Sequence, residues 1–433
     1  MISLKKYQEY KSSNVDFIGD IPKHWEVRKL KFVSQSIQTG STPASKKGDY
    51  FTDGIINWYS PSDFNNDFIL DNSIKKVIVK AIKDKEVKLY NKGSILFTGV
   101  GTVGKVGLLN ENSSCNQQIN IITPNSQFLS NYAIYLLFSI GLEVRKFAKA
   151  TILPIFNQDE TKSLSVLVPP LKEQEKIAKF LDTKNKQIEE FVKDKQNQIK
   201  LLEEQKETII NKAVTKGLDD SVEFKDSGIE WIGDIPKSWG IRKLKYVMDI
   251  IRTGTTPDTV NKDFFNGDIN WFKPEDLNHS ILNSSKEKVT QLAIDKNKVK
   301  YLVKDSILIV AIGATTGKTA YLNIDATFNQ QITGFNSTIN DNKYYFYTLK
   351  NFTKVFLSLA SYTTLPILNN EFFKSFIVPL PAVEEQKQII KYIETETSKI
   401  NEVINQIQKE IDLIKEYKIS LISEVVTGQI KVV

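Results

Sequence analysis

The chain has 433 residues, long enough for two or more domains, and its 41% hydrophobic and 10% aromatic content excludes a disordered protein. A single cysteine, Cys115, excludes an internal disulfide framework, and two histidines in unrelated contexts, His24 and His279, argue against a histidine-rich metal site or a histidine-based triad. The net charge of +7 permits a polyanionic partner without demanding one. No apolar run approaches ~18 residues, so a cytoplasmic protein without a membrane partner is expected.

In chain order, one unit is written twice. The opening FIGDIPKHWEVRKLKFV recurs as WIGDIPKSWGIRKLKYV at an offset of 214, from Asp20 to Asp234. Each opening segment carries a tryptophan and a basic run: Arg28, Lys29 and Lys31, then Arg242, Lys243 and Lys245. Thr39-Gly40-Ser41-Thr42-Pro43 matches Thr253-Gly254-Thr255-Thr256-Pro257. Asn57-Trp58 matches Asn270-Trp271, Pro61 and Asp63 match Pro274 and Asp276, and the apolar runs Ser94–Thr98 and Ser306–Val310 read as strands. Gly104-Lys105 matches Gly317-Lys318, and Asn116-Gln117-Gln118-Ile119 matches Asn329-Gln330-Gln331-Ile332. Helical patches follow at Tyr132–Ala148 and Tyr344–Leu359, then Pro154-Ile155 with Asn157, matched by Pro366-Ile367 with Asn369.

Prolines at 169–170 and 379–381 precede two long stretches free of Gly and Pro, Leu171–Val214 and Ala382–Thr427. The first has apolar residues at heptad steps, Leu181, Ile188, Leu202 and Ile209, interrupted by Lys195. The second keeps Ile393, Ile400, Ile407, Ile414 and Leu421 at strict sevens. Helices of roughly 65 Å need a partner, and the two are expected to pair as an antiparallel coiled coil. The repeat is circular: the residues after the first long helix align with the beginning of the chain, so the chain's end is expected near its beginning. The predicted fold is mixed α/β, with two pseudo-symmetric domains at 1–170 and 229–381. Long helices at 171–214 and 382–427 join them, with a linker at 215–228.

Three catalytic readings fail on the residues. Phe97-Thr98-Gly99-Val100-Gly101 looks like a methyl-donor loop, but its counterpart Ile309–Gly313 loses that signature, and no N-P-P-Y or D-P-P-Y run occurs. The phosphate-loop spacing at Gly99–Lys105 places Val106 where Ser or Thr must stand; its counterpart has Ile312 at the first glycine position. A carboxylate pair of Asp63 and Glu86 is not repeated, because Lys298 replaces Glu86.

The shared loops offer hydroxyls, glycine-freed amides, carboxamides and one lysine each, a chemistry suited to DNA. The candidates in the first copy are Thr39, Gly40, Ser41, Thr42, Thr102, Lys105 and Gln117. In the second copy they are Thr253, Gly254, Thr255, Thr256, Thr315, Lys318 and Gln330. Copies that read different bases need divergent residues, which adds Lys46, Lys47, Tyr59 and Ser60, and Phe272 and Lys273. The bland reading is that Gly turns and the Asn-Gln pairs build the fold, and that Trp25, Trp58, Trp239 and Trp271 are core.

This organisation resembles the specificity (S) subunit of type I restriction–modification systems. The resemblance spans nearly the whole chain and rests on Gly228–Trp239 with Asn14–Trp25, the T-G-x-T-P loops, the Gly-Lys loops, the N-Q-Q-I runs and the Glu-Gln helix starts. It implies that each domain is a target recognition domain reading half of a bipartite double-stranded DNA site. It implies that the helices set the spacer and dock two methyltransferase (modification) subunits that methylate adenine N6. ATP-driven restriction/translocase subunits can join. It implies a non-catalytic chain that binds no cofactor itself; S-adenosylmethionine and ATP with Mg belong to the other subunits. The competing expectation is a free-standing pseudo-dimeric DNA-binding regulator.

Overall fold

The structure, a computed structural model, describes residues 5–44, 49–64, 68–148, 155–278, 280–362 and 366–432. It divides into two compact units: Met1–Lys195 with Gln408–Val433, and Gln196–Ile407. Each unit therefore takes a part of both long helices.

In the first unit, strands β1 (Ser34–Thr39), β2 (Ile69–Leu70), β3 (Ile95–Thr98), β4 (Val106–Leu109) and β5 (Ile119–Pro124) form a sheet ordered β1-β5-β3-β4-β2. Its central strand reads Ile-Leu-Phe-Thr and is buried throughout, as a strand covered on both faces must be. Ile56–Tyr59, Lys75–Val77 and Ser114–Cys115 form a separate, smaller sheet with Ile56–Tyr59 in the middle. In the second unit, β6 (Ile250–Thr253), β7 (Ile281–Leu282), β8 (Ile307–Val310), β9 (Thr319–Leu322) and β10 (Ile332–Asn336) repeat the order as β6-β10-β8-β9-β7. The predicted strands at Ser94 and Ser306 begin one residue later than the sequence suggests, at Ile95 and Ile307.

The helical patch of the first copy is one helix, Ser130–Ala148. In the second copy the expected single helix is broken into Asn342–Asn351 and Thr353–Leu359, with Phe352 leaving helical geometry at ψ 12°. The polar stretch after the first long helix is more than a linker: Phe224–Asp226 pairs antiparallel with Asp234–Pro236, as Tyr10–Ser12 pairs with Asp20–Pro22.

The long helices are Leu171–Lys216 and Val383–Val426. Leu181, Ile188, Ile393, Ile400, Ile407 and Leu421 are buried, and Leu202, Ile209 and Ile414 are half-buried. In the first unit Lys195 pairs with Glu410 at 2.7 Å and Lys418 with Glu189 at 3.0 Å, so the two segments run antiparallel. Lys195, the break in the heptad row, thus closes the seam with a charge pair and holds its ammonium over the Phe191 ring at 5.4 Å. In the second unit Lys206 donates to Asn401 Oδ1 at 2.9 Å.

Each main core joins a domain to helix segments. In the first unit Trp25, Tyr132, Ile177, Leu181, Leu421 and Val425 pack in one cluster; in the second, Trp239, Tyr344, Val214, Ile389 and Ile393 do. Full burial of one such Leu or Ile stabilises by about 1.5–3 kcal/mol, which fixes each domain to its helices. The helix starts and ends are secured alike. Gln174 donates to the Gln127 and Pro169 carbonyls and accepts from Leu129 N; Gln386 donates to the Pro381 carbonyl and Asn340 Oδ1 and accepts from Asp341 N. Glu173 accepts from Trp25 Nε1 and Glu385 from Trp239 Nε1. At the far ends, Tyr132 donates to the Val426 carbonyl and Tyr344 to the Val214 carbonyl, meeting acceptors the helix leaves open. Gly428 and Gly217 then turn left-handed, at φ 76° and 75°. Lys431 N donates to the Lys5 carbonyl at 2.7 Å, so the chain's end meets its beginning in the first unit.

Candidate nucleic-acid interface

The strand registers bring the shared loops to one end of each sheet. Thr39 closes β1 opposite Asn120, Ile119 opens β5 opposite Thr98, and Val106 opens β4 opposite Phe97. The T-G-x-T-P loop, the Gly-Lys loop and the N-Q-Q turn therefore leave the same sheet end. The second unit repeats this: Thr253 lies opposite Thr333, Val310 opposite Ile332 and Thr319 opposite Ile309. The Pro-Ile segments add a fourth element there, with Ile155 bridged to Val100 and Ile367 to Ile312.

Backbone hydrogen bonds lock the loops together. Gly40 N donates to the Ile119 carbonyl and Ser41 N to the Cys115 carbonyl; Gly254 N donates to the Ile332 carbonyl and Thr255 N to the Phe328 carbonyl. A Cβ on Gly40 would lie 2.2 Å from the Asn116 carbonyl oxygen, and one on Gly254 2.2 Å from that of Phe328. These glycines admit the close crossing of two backbones. Asn116 accepts from Gln118 N and donates to Gln118 Oε1, and Asn329 does the same with Gln331. Trp58 Nε1 donates to the Ser41 carbonyl and Trp271 Nε1 to that of Thr255, so these rings are core anchors.

The outward-facing set is smaller than the sequence suggests. Gln117 and Gln330 are exposed at the turn tips, and Thr42 and Thr256 donate to their respective Oε1 atoms. That contact fixes the carboxamide and leaves its NH₂ free for an acceptor. Thr102 and Thr315 are also exposed, while Ser41 and Thr255 are half-exposed, with the Thr255 hydroxyl given to the Lys298 carbonyl. The half-exposed lysines of the Gly-Lys loops are engaged: Lys105 donates to the Phe64 carbonyl at 3.0 Å and Lys318 to Asn278 Oδ1 at 2.9 Å.

Several candidates are corrected. Tyr59 and Phe272 have no exposed surface and belong to the cores beneath the loops, because their strands are covered on both faces: Trp58 and Trp271 pack into one cluster and Tyr59 and Phe272 into another in each unit. Gly40 and Gly254 are buried spacers. Thr39 donates to Asn120 and Thr253 to Asn370, so both hydroxyls face inward. Ser60 is taken up by Asp63, and Lys273 by Glu287 and the Trp271 ring. Lys46 and Lys47 lie outside the described residues. Burial alone pushes the Cys115 thiol far above its usual range, and burial followed by Glu111 does so for Tyr59, so neither ionises in use. Among the described residues no group of His, Cys, Asp and Glu could hold a metal ion, and no helix is long and apolar enough to cross a membrane.

Asp63 and Asp276 are not among the DNA-contact candidates, although the repeat marks them. Asp63 accepts from Ser60 N and Ile74 N, and Asp276 from Lys273 N and Lys286 N, which pins the loop beneath each interface.

The model of the type I restriction modification DNA specificity domain matches residues 22–201 and again 236–413. The MjaIX specificity subunit of Methanocaldococcus jannaschii, a type I restriction enzyme component, is 25% identical over all of this chain and 99% of its own length. The EcoR124I/EcoR124II specificity subunit of Escherichia coli is 25% identical over 45% of this chain and 47% of its own. Among solved structures, the HsdS subunit of Thermoanaerobacter tengcongensis aligns with TM-score 0.52 at 15% identity, covering 95% of this chain and 98% of that one. A chain from work on assembly and conformational transition of the type I R-M system aligns with TM-score 0.67 at 14% identity, covering 94% and 98%. Two family matches in tandem, over two copies of one fold, show that the chain belongs to the family of type I restriction–modification specificity subunits.

Proposed function

We propose that each unit reads one half of a bipartite double-stranded DNA site through the loop cluster at its sheet end. The observation that carries this reading is that all three shared loops converge there in both units. Thr102 and Gln117, and Thr315 and Gln330, are the outward donors suited to phosphate oxygens and base acceptors, with Thr42 and Thr256 orienting the two glutamines. Ser41, Lys105, Thr255 and Lys318 stand behind them. Lys46 and Lys47 are proposed as contacts from the divergent segment that separates the first copy's half-site from the second's. Identical residues in both units position the DNA; divergent ones select its sequence.

The chain itself performs no chemistry in this reading. Two methyltransferase subunits supply S-adenosylmethionine chemistry at adenine, and restriction subunits supply ATP-driven motion. The paired helices set the spacer and dock the methyltransferase subunits. Support for docking comes from exposed apolar side chains along these helices, among them Phe191, Leu201, Val403, Leu413 and Tyr417. The test is adenine-methylation mapping of host DNA with and without this gene, beside purified chain incubated with S-adenosylmethionine and duplex DNA. The expected outcome is a bipartite methylated motif that vanishes with the gene, and no methyl transfer by the chain alone. Methyl transfer by the chain free of partners overturns the reading.

A further inference from the structure

The smaller sheet of each unit ends at the same loop cluster as the larger one. In the second unit its order is Glu287–Val289, Phe265–Phe272, Ala326–Phe328 and Lys300–Leu302. Glu287 lies opposite Trp271, Phe272 beside Phe328, and Phe328 opposite Lys300. The sheet end that releases the turn of Gln330 therefore also carries Lys286 and Lys298. In the first unit Lys75 lies opposite Trp58 and Tyr59 beside Cys115, so Ile74 stands at the sheet end that releases the turn of Gln117.

The backbone at these positions is fixed in the same way in both units. Ile74 N donates to Asp63 at 2.6 Å and Lys286 N to Asp276 at 3.2 Å. Just before them, Ser73 N and Ser285 N donate to Asn57 Oδ1 and Asn270 Oδ1, and the two serine hydroxyls accept from Trp58 N and Trp271 N. Lys298 N donates to the Ala293 carbonyl as Glu86 N does to that of Ala81, and the Lys298 carbonyl accepts from the Thr255 hydroxyl.

The side chains mounted on this fixed backbone are not alike. Ile74 is 76% exposed, and its counterpart is the exposed Lys286. Lys298 is exposed where the first unit has Glu86, which is half-buried and accepts from Ala44 N at 3.1 Å. Lys286 and Lys298 make no side-chain hydrogen bond or ion pair among the described residues, and Glu287, the carboxylate next to Lys286, is held by Lys273. An isoleucine left in water buries nothing within its own unit, and two unpaired lysines tie nothing down. A phosphate backbone is the same under both halves and asks for the same side chain twice. Base edges are what differ between half-sites, and these positions differ in kind. An isoleucine meets the methyl of thymine, and a lysine donates to O6 and N7 of guanine.

We infer that Ile74, Lys286 and Lys298 are specificity-determining residues: Ile74 reads a thymine of the first half-site, and Lys286 and Lys298 each read a guanine of the second. This rests on the reading that each unit's loop cluster reads one half-site. It moves the divergent readers from Tyr59 and Phe272, which are buried, and Lys273, which is engaged, to the pinned positions beside them.

The test is adenine-methylation mapping of the full chain assembled with the modification subunits of its own system, on DNA carrying randomised sites. Lys286→Ala and Lys298→Ala are each expected to relax one guanine of the second half-site, with discrimination there falling roughly tenfold or more, and to leave the first half-site intact. Lys286→Arg is expected to keep its guanine, because arginine meets the same O6 and N7 pair. Ile74→Ser is expected to lose the preference for one thymine of the first half-site, and Ile74→Lys to exchange it for guanine. Half-sites unchanged in all these variants overturn the inference and leave the loop-cluster reading standing. Uniformly weaker methylation of every sequence, with a shallower salt dependence, also overturns it, by assigning the lysines to phosphate. If the unaltered assembly methylates no bipartite motif, the underlying reading falls and the inference with it.

Discussion

In the first unit Gly104 and Gly141 meet backbone to backbone, so close that a Cβ on Gly141 would lie 2.0 Å from the Gly104 carbonyl oxygen. In the second unit the same two positions are Gly317 and Thr353, and the Thr353 hydroxyl donates to the Gly317 carbonyl at 3.1 Å. The helix of the first unit passes this point unbroken; that of the second breaks beside it, at Phe352. One turn earlier the first unit places Phe138 against Phe68, which also meets Tyr135, with centroids 5.0 and 4.9 Å apart. The second has Lys350 there, donating to Ser280, and a cavity of about 810 Å³ lined by Glu204, Asn211, Lys318, Lys350 and Thr353. The backbone crossings, Asn-Gln turns and Trp anchors at the loop cluster are the same in both units while this apolar seam is not. The fold is thus specified by hydrogen bonds at the sheet end and by the helix junctions, and the filling between sheet and helix is free to vary.

The strongest way to break that comparison is to exchange one reading surface. Replacing residues 20–165 by the matching segment of another family member should change one half-site and leave the other intact. Each mismatched base pair costs about 1–3 kcal/mol, so the exchanged half should lose its old sequence by orders of magnitude. Methylation mapping of the assembled variant reads this. A change in both half-sites would end the one-unit, one-half-site assignment.

Next in size are the helix starts. Glu173 accepts from Tyr7 at 2.6 Å, His24 at 2.9 Å and Trp25 at 3.1 Å, whereas Glu385 accepts from Trp239 at 2.9 Å. Removing the carboxylate strands more buried donors in the first unit than in the second. A hydrogen bond to a charged group contributes about 1.5–3 kcal/mol, and the His24 bond counts for less because its ring reaches water. Glu173→Ala should therefore destabilise the first unit by about 3 kcal/mol and Glu385→Ala the second by about half that. Hydrogen exchange resolved by unit distinguishes the two; equal losses would contradict the asymmetry.

These residues show where the sequence is legible. The repeat, the helix starts and the heptad rows can be read directly, because periodicity and Pro/Gly punctuation act locally. The Glu-Gln pairs are visible as markers, but their work is not: Glu173 meets Trp25 across 148 positions, and no local pattern states that. The candidate interface is legible as loops and not as surfaces. Tyr59 and Phe272 differ between the copies, as base readers would, yet both faces of their strands are covered and they are buried. Gln117 outward and Gln118 inward is decided by an Asn side chain bonding its own turn, which a string of N-Q-Q does not disclose. The break at Phe352 is hidden for the same reason: Thr353 is an ordinary residue until its counterpart Gly141 is seen pressed against Gly104.

The glycine contact supplies a smaller test. Gly141→Ala gains about 1 kcal/mol of helix propensity but forces a methyl into the Gly104 backbone, and overpacking of this kind costs about 1–3 kcal/mol. A net loss in the first unit is expected, since backbone cannot rotate away as a side chain can. Thr353→Ala removes one hydroxyl bond and should cost the second unit about 1 kcal/mol or less. Denaturant unfolding of the two variants should rank them in that order; a stabilised Gly141→Ala would mean that the close approach is slack.

The smallest effect belongs to Lys350. Desolvation by its surroundings, then the nearby Lys206, hold its amine below the usual lysine range. Its residue nevertheless remains exposed at the mouth of the cavity, so water screens most of that cost. Lys350→Met keeps the stem, drops the charge and gives up one bond to Ser280. The lost bond and the relieved charge oppose each other, and a surface substitution of this kind moves stability by less than about 0.5 kcal/mol. The reverse exchange is not symmetric. Phe138→Lys would put an ammonium into the Phe68–Phe138 contact, where Lys418 already lies over the Phe68 ring at 5.4 Å. Two cations would then share one aromatic patch, and the first unit should lose clearly more than the second does on Lys350→Met. Thermal unfolding of the two single variants checks this, and comparable losses would show that the wider seam of the second unit is as tightly specified as the narrower seam of the first, whose cavity is about 310 Å³.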